Sequence, residues 1–233
     1  MRATTMPPLR RHQLAHLSAA GWQEVLEQDW DEELRSCLMV WAQHNLPLVV
    51  TRQRVPREGQ DAPVSLGLCA PALWHRRLLA LQVRPSRISW FREFPLLAEA
   101  LHELPRRARP SLEALGRALA ALGVKAHAYG SAGWQALTGM KYLHPHSDID
   151  LWLAVDDADQ ADATARALLR HAPCEPRLDG ELLFTDGSAV AWREWLAWRD
   201  GACRSLLVKR LDGVAIEGAA QGFARCAAAV SAA

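Results

Sequence analysis

The chain has 233 residues, half of them hydrophobic, and a formal net charge of +1 at pH 7. This length and composition exclude a disordered protein and predict a globular one with one large or two small domains. The near-neutral charge provides no bulk attraction to nucleic acid or to an acidic membrane, so we expect neither as a partner.

The cysteines and the N-terminus both bear on the compartment. The five cysteines are widely spaced, odd in number and without a Cys-x-x-Cys pair: Cys37, Cys69, Cys174, Cys203 and Cys226. Such a pattern favours reduced thiols over a disulfide framework or a zinc site. The N-terminus lacks the apolar run of a signal peptide, and no stretch has the length of a transmembrane helix. We therefore expect a cytoplasmic protein.

The N-terminal part of the chain predicts a small α+β domain. Ser18 is expected to cap a helix that carries Trp22 and Val25, and a second helix is expected over residues 31–44. Strands are expected over residues 46–52 and 76–84, and we expect these two to pair. Residues 55–65 are rich in turn-forming residues and predict a loop, whereas residues 66–69 are too short to classify.

A helix and a linker are expected next. Phe91, Phe94, Leu97 and Leu101 follow helical spacing, which predicts a helix over residues 86–104. Residues 104–111 contain two prolines and three arginines that interrupt this periodicity. They predict a linker and a domain boundary near residue 108, which gives an N-terminal domain of residues 1–108 and a C-terminal domain of residues 109–233.

The segment around residues 126–155 carries the clearest chemical signal. Ser111 is expected to cap a helix that ends at Gly123, and a strand then leads into Gly130 and Ser131. Gly130 would let the backbone approach a ligand, and Ser131 is expected to cap a helix of about two turns whose N-terminus offers N–H groups to a phosphate. That helix is expected to end at Gly139.

A second strand is expected to open with Asp148, Ile149 and Asp150. Residues two apart in a strand point to the same side, so Asp148 and Asp150 would present two carboxylates side by side. Like charges this close call for a cation between them, and Mg²⁺ (or Mn²⁺) prefers oxygen ligands. Two such ions about 4 Å apart can clamp the attacking and leaving oxygens of a phosphoryl-type displacement. The segment therefore predicts a metal-dependent nucleotidyl-type transferase.

The C-terminal part predicts a helix over residues 158–171 and then a hairpin around a turn at residues 185–188. Its first strand, residues 175–184, should run parallel to the Asp148 strand, and its second covers residues 189–195. This register sets Asp179 opposite Glu194 near the acidic pair, so either is a candidate for a third metal carboxylate. A final strand is expected over residues 205–209, and the end of the chain is expected to fray.

The Gly-Ser pair followed by Asp-Ile-Asp resembles the nucleotidyltransferase superfamily that includes DNA polymerase beta. The sixteen residues between Ser131 and Asp148 are more than is usual there. Four flanking segments are similar to the malonate decarboxylase holo-acyl-carrier-protein synthase family, whose members are phosphoribosyl-dephospho-coenzyme A transferases. These segments are residues 11–14, 47–52, 76–83 and 189–194.

The resemblance implies an α+β fold, with a polymerase-beta-like mixed sheet and flanking helices in the C-terminal domain and a smaller N-terminal α+β domain. It also implies a reaction, in which the phosphoribosyl-dephospho-CoA group passes from triphosphoribosyl-dephospho-CoA to a serine of the malonate decarboxylase acyl carrier protein subunit, and pyrophosphate leaves. Asp148 and Asp150 would hold the metal ions, and either could take the serine proton. Gly130 and Ser131 would hold the terminal phosphates of the donor, with Lys141 as a further phosphate candidate.

Several alternatives stay open from the sequence alone. The same motif would serve a nucleotidyltransferase that uses ATP on a small molecule or protein, and a non-catalytic binding protein could keep the same fold. Asp179 and Glu194 could instead lie on a solvated hairpin face. His144 and His146 could belong to a plain loop, as a metal site would lack a third ligand nearby. The tryptophans at positions 192, 195 and 198 could either stack on an adenine or pack on the sheet.

Overall fold

The computed structural model describes residues 6–54, 62–171 and 175–218. Cys174, Cys226 and most of the C-terminal stretch expected to fray lie outside these residues. The chain forms two compact units, Met1–Phe94 with Met140–Tyr142, and Pro95–Gly139 with Leu143–Ala233. The fold class is α+β with two sheets, as expected. The division follows Phe94, whereas the sequence set the domain boundary near residue 108.

The first unit is a five-stranded antiparallel sheet with two helices. The strands are β1 (Leu14–Leu17), β2 (Leu48–Val50), β3 (Val64–Cys69), β4 (Leu78–Val83) and β5 (Ile88–Arg92), in the order β4-β3-β2-β1-β5. The helices are α1 (Ala19–Leu26) and α2 (Glu32–Gln43). Ser18 caps α1 by accepting a hydrogen bond from the Gly21 N–H, and Asp31 caps α2 in the same way.

The predicted pairing of the two N-terminal strands is wrong. Strand β3, which includes the unclassified residues 66–69, lies between β2 and β4 and pairs with both. Strand β1 was not predicted, because its four residues are all buried and show no polar alternation. A strand in the middle of a covered sheet loses the period-two signal by which sequence analysis finds strands.

The predicted helix over residues 86–104 is also wrong. Its first half is β5, which pairs with β1, and only Leu97–Ala100 and a short 3-10 turn at Leu101–Glu103 are helical. Pro95 disfavours helical backbone at the residue before it, so the apolar stripe with helical spacing belongs to two different elements.

The second unit contains a six-stranded mixed sheet. The strands are β6 (Ala126–Tyr129), β7 (Ile149–Val155), β8 (Leu178–Phe184), β9 (Ala189–Ala191), β10 (Ser205–Lys209) and β11 (Val214–Gly218), in the order β11-β10-β9-β8-β7-β6. The helices are α3 (Leu97–Ala100), α4 (Arg109–Ala121), α5 (Gly130–Thr138), α6 (Ala158–His171) and α7 (Trp192–Arg199). Strands β7 and β8 are parallel, as predicted, and the other neighbouring pairs are antiparallel.

One face of this sheet packs against α4, α6 and α7. Leu115 of α4, Leu168 of α6 and Trp192 of α7 are fully buried there against Leu151 and Leu182 of the central strands. Helix α4 begins at Arg109 after Ala108, without a side-chain cap, so the expected cap at Ser111 is wrong. The other face carries a smaller buried apolar cluster, Trp152 and Leu183 with Ala189, and polar side chains beside it.

The hairpin forms with a register different from the predicted one. Leu183 pairs with Ala189 and Glu181 with Ala191, because the loop has three residues and ends at Gly187 with φ of 81°. The second strand stops at Ala191, and the chain continues as α7. Glu194 therefore lies on a helix and not opposite Asp179, which corrects the predicted strand over residues 189–195.

Candidate functional site

Gly130 and Asp150 are in direct contact, which joins the two halves of the sequence motif. Tyr129 at the end of β6 pairs with Asp150 in β7, and Gly130 opens α5 with φ of 58°. A Cβ atom at Gly130 would lie 2.2 Å from Asp150 Oδ2. The glycine is therefore required twice, by the left-handed backbone and by the carboxylate above it.

A row of acidic side chains lies on the sheet face opposite the helices. Asp150 and Asp179 are directly paired across β7 and β8, and Glu181 follows two residues later on the same side as Asp179. Asp148 immediately precedes β7. Asp148, Asp150 and Asp179 therefore lie at one end of the parallel strand pair, and Glu181 lies near its middle on the same face.

Asp150 is the centre of this cluster. Burial raises the pKa of its carboxyl to about 6, and the negative charges of Asp179, Asp148 and Glu181 act in the same direction. The side chains of Asp148 and Asp150 form no hydrogen bond or ion pair with other residues in the described part of the chain. Their oxygens are therefore available to a cation, which would relieve the repulsion.

Asp179 is held beside Asp150 by a close approach of the two strands. A Cβ atom at the next residue, Gly180, would lie 2.2 Å from the backbone oxygen of Leu151, so only glycine lets β8 come this near to β7. Asp179 Oδ1 accepts a hydrogen bond of 2.9 Å from the Gly180 N–H, and Arg177 lies 3.6 Å from Oδ2. Glu194, the other candidate for the third metal carboxylate, has a different environment.

Glu194 is exposed on α7, and its carboxylate accepts a hydrogen bond of 3.3 Å from the Leu207 N–H of β10. It is not among the charges that shift the pKa of Asp150. Next to it, Arg193 donates a 3.0 Å hydrogen bond to the Leu178 carbonyl at the start of β8. Both side chains form hydrogen bonds with backbone groups of strands next to α7, which is a structural role.

Glu181 was not proposed from the sequence as a final candidate, although it lies in this cluster. Its side chain is 6% exposed and forms a 2.7 Å ion pair with Lys209 of β10. A glutamate inside the apolar run of β8 is a sequence signal for a buried charge with a partner. Lys209 therefore balances Glu181, and Arg177 lies near Asp179, so Asp148 and Asp150 are the two acids of the cluster without a cationic partner among the described residues.

Replacing Lys209 by methionine is expected to destabilise the protein by about 2–3 kcal/mol, because it removes the cation that faces a buried carboxylate. Urea unfolding of the variant would measure this loss. The double variant Lys209→Met/Glu181→Leu should recover most of it, since an apolar pair replaces the ion pair. An unfolding midpoint equal to that of the wild type in the single variant would contradict this prediction.

The remaining phosphate candidates have mixed positions. Ser131 lies inside the first turn of α5, and Tyr129 precedes the helix without a side-chain cap, so the predicted capping role of Ser131 is wrong. Its position at the helix N-terminus keeps it a candidate phosphate ligand. Lys141 is exposed and lies in Met140–Tyr142, the segment that belongs to the first unit, where its carbonyl accepts a hydrogen bond from Ala72. The spacer between Ser131 and Asp148 is long because the chain passes through this segment before it returns to β7.

The carboxylate cluster fits a hard divalent cation by its chemistry. Within the described ranges, no three His, Cys, Asp or Glu side chains form a group that could hold a metal ion by itself. Magnesium does not require one, since it commonly takes one or two carboxylates, several waters and the phosphate oxygens of a substrate. Asp148 and Asp150, with Asp179 beside them, provide that number of carboxylates.

The other sequence candidates take structural positions. Trp192 and Trp195 are buried in the core, so packing on the sheet is their role. His144 and His146 are exposed around a turn, with ring centroids 6.4 Å apart. In the part of the chain with described structure, no helix is long and apolar enough to cross a membrane.

Comparison with known proteins identifies relatives along nearly the whole chain. Residues 10–94 match the family described as "Phosphoribosyl-dephospho-CoA transferase MdcG N-terminal domain", and residues 96–219 match its C-terminal domain. The phosphoribosyl-dephospho-CoA transferase of Bradyrhizobium diazoefficiens is 34% identical over 212 residues, which are 90% of each chain.

The protein of that name from Xanthomonas campestris pv. campestris is 34% identical over 209 residues, 87% of this chain and 91% of its own. No solved structure matches the chain.

Proposed function

The chain belongs to the phosphoribosyl-dephospho-CoA transferase family, and from this membership we propose that it loads a phosphoribosyl-dephospho-CoA group onto a carrier protein. The donor is triphosphoribosyl-dephospho-CoA, and the acceptor is a serine of the malonate decarboxylase acyl carrier protein subunit. The observation that supports this best is the Asp150 carboxylate packed on Gly130 at the N-terminus of α5. There an acidic cluster adjoins free N–H groups that suit a phosphate.

The proposed reaction is a displacement at phosphorus. The serine oxygen forms a bond to the phosphorus nearest the ribose, the bond to pyrophosphate breaks, and the serine proton passes to Asp148, Asp150 or water. Asp148 and Asp150 would hold Mg²⁺ or Mn²⁺, and such an ion would stabilise the negative charge on the transferring phosphate. Gly130 and Ser131 hold the terminal phosphates through the first turn of α5. We place the reaction in the cytoplasm.

We propose Asp179 as the third carboxylate, because it pairs with Asp150 across the two parallel strands whereas Glu194 binds a backbone N–H. Asp179→Asn is expected to lower the rate of transfer about a hundredfold, since it removes one charge that faces the cation. Glu194→Gln should leave the rate within about threefold of the wild type, as the amide oxygen can still accept the same hydrogen bond. Steady-state rates at saturating Mg²⁺ would compare the two, and a larger loss in Glu194→Gln would reverse the assignment.

Mass spectrometry of the purified carrier subunit tests the function directly. Incubation with the protein, the donor and Mg²⁺ should add the prosthetic-group mass to one serine and release pyrophosphate. Excess chelator should stop the reaction, and added Mg²⁺ or Mn²⁺ should restore it. An adenylyl mass increment from ATP in place of the prosthetic group would favour a general nucleotidyltransferase, and modification that persists in chelator would contradict the role of a metal.

A further inference from the structure

An apolar groove of about 410 Å³ lies at the edge of the second unit's sheet, between α3, α4 and the start of β6. Its walls include Leu96, Leu101, Leu112, Gly116, Ala120 and Val124. Leu112, Gly116 and Ala120 are spaced by four residues along α4, so they follow the helix axis for about 12 Å. The groove therefore follows α4 for about this length, and none of the described residues that line it is aromatic.

Gly116 is the unexpected residue in this groove. It lies in the middle of α4, where glycine costs about 0.5–1 kcal/mol relative to alanine. Apart from the backbone of its own helix, no atom of the described residues lies within 4 Å of where its Cβ would be, and its backbone does not require a positive φ. Packing within the described structure thus gives no reason for glycine here, whereas close approach of a ligand to the helix backbone would.

The rim of the groove is mostly positive. Arg117 and Lys125 are exposed there and form no hydrogen bond or ion pair with any described residue, and Glu113 is the single acid. Two free cations beside an apolar channel suit a ligand with an uncharged chain and an anionic group attached to it. A diphosphate at one end of the chain would meet this requirement.

Strand β6 connects the groove to the carboxylate cluster. Ala126 at its start lines the groove, and Tyr129 at its end pairs with Asp150, a separation of about 10 Å along the strand. Leu96 of the groove forms an isolated antiparallel bridge with His127, whose ring stacks on Trp152 at 4.2 Å. Ala126 faces the helices and the groove, whereas His127 and Tyr129 project from the face that carries the acids. A long ligand that leaves the groove therefore has to pass around the β6 edge, near Leu96, to reach the acids.

We propose that this groove binds the pantetheine arm of the donor, an inference that rests on the proposed function. The arm is a narrow, uncharged chain that ends in a diphosphate, as the channel and its basic rim require. The triphosphate of the donor lies at the other end of the molecule, on the far side of the adenosine, and would extend to the acids. Adenine does not suit the groove, since a planar base is usually held between aromatic or broad apolar faces.

Titration calorimetry on the full chain tests the proposal with two commercial ligands, dephospho-CoA and ADP, which differ by the pantetheine arm. The wild type should bind dephospho-CoA at least tenfold more tightly than ADP. Gly116→Leu, which fills the groove, should remove this advantage and leave the affinity for ADP unchanged. The matched control is Ala121→Leu, which adds the same side chain to an exposed position of α4 outside the groove.

The possible outcomes test ligand binding in the groove separately from the transfer reaction. Equal affinities of the wild type for both ligands, or a dephospho-CoA affinity of Gly116→Leu equal to that of Ala121→Leu, would overturn the groove assignment even if transfer to the carrier is normal. Loss of pantetheine-dependent binding only in Gly116→Leu would support it, even if the carrier serine stays unmodified and the proposed function fails. In transfer assays, the supporting result is a KM for the donor raised about tenfold with kcat retained.

Discussion

Asp150→Asn is expected to abolish transfer and, at the same time, to stabilise the protein at neutral pH. The loss of activity should be about a thousandfold or more, because Asp150 is the proposed central ligand of a cation whose electrostatic stabilisation would supply several kcal/mol. The gain in stability follows from the raised pKa of the buried carboxyl, about 6 against 3.8 in water. Ionising it inside the fold costs up to about 3 kcal/mol, and asparagine avoids that cost.

The pH dependence gives the sign of this effect. Because the pKa of Asp150 is raised on folding, the wild type loses stability as the pH increases from about 4 to about 6. The variant does not, so the difference in unfolding free energy should be largest above pH 6.5 and should vanish near pH 4. Chemical denaturation in chelator would measure both curves. A variant less stable than the wild type at pH 7.5 would contradict the electrostatic reading of the cluster.

Magnesium provides a readout of the same site that does not depend on turnover. Added Mg²⁺ should raise the melting temperature of the wild type, because a ligand that binds only the folded state stabilises it. It should not raise that of Asp150→Asn, which lacks the central carboxylate. An equal shift in both proteins would mean that the ion binds elsewhere.

Gly130→Ala is expected to lower the rate of transfer at least a hundredfold. The new Cβ would lie 2.2 Å from Asp150 Oδ2, so the carboxylate has to move by an ångström or more. A displacement of that size at a reacting centre can cost about a hundredfold in rate. The positive φ of 58° adds a backbone cost of about 1–2 kcal/mol to the free energy of unfolding.

Gly139 offers a matched control at the other end of the same helix. Its φ is 69°, and beyond its chain neighbours no atom in the described ranges lies within 4 Å of where its Cβ would be. Gly139→Ala should therefore lose a similar amount of stability and keep near-normal transfer. Steady-state kinetics and urea unfolding on both variants separate the two contributions. Equal activities would show that Gly130 acts through the backbone alone and not through Asp150.

Local sequence was sufficient wherever an element is defined by its own residues. Ser18 and Asp31 cap their helices, Gly139 ends α5, and β7 and β8 run parallel as the intervening helix requires. The contact between Gly130 and the acidic pair was also predictable, because a strand, a short helix and a returning strand bring those positions together. These features depend on capping, turn chemistry and chain return, all of which are local.

Strand neighbours and register could not be predicted in the same way. Strand β1 lacks polar alternation because both of its faces are covered. The apolar residues with helical spacing between Phe91 and Leu101 do not form one helix, because they begin in β5 and end in the turn after α3. The hairpin loop is one residue shorter than predicted, which changed every pairing beyond it. Such pairings are decided by long-range contacts that one window of sequence does not contain.

The sequence by itself predicted the class of chemistry, since Gly130 and Ser131 followed by Asp148 and Asp150, with one residue between the two aspartates, resemble the motif of a transferase superfamily. Only the tertiary structure decided which further carboxylates stand beside that pair. Asp179 and Glu181 join it because Gly180 lets β8 approach β7, whereas Glu194 leaves with α7. The carboxylates that can share a cation are those on neighbouring strands. The strand order is the one that minimises the free energy of the whole sheet and its core, not that of any single segment.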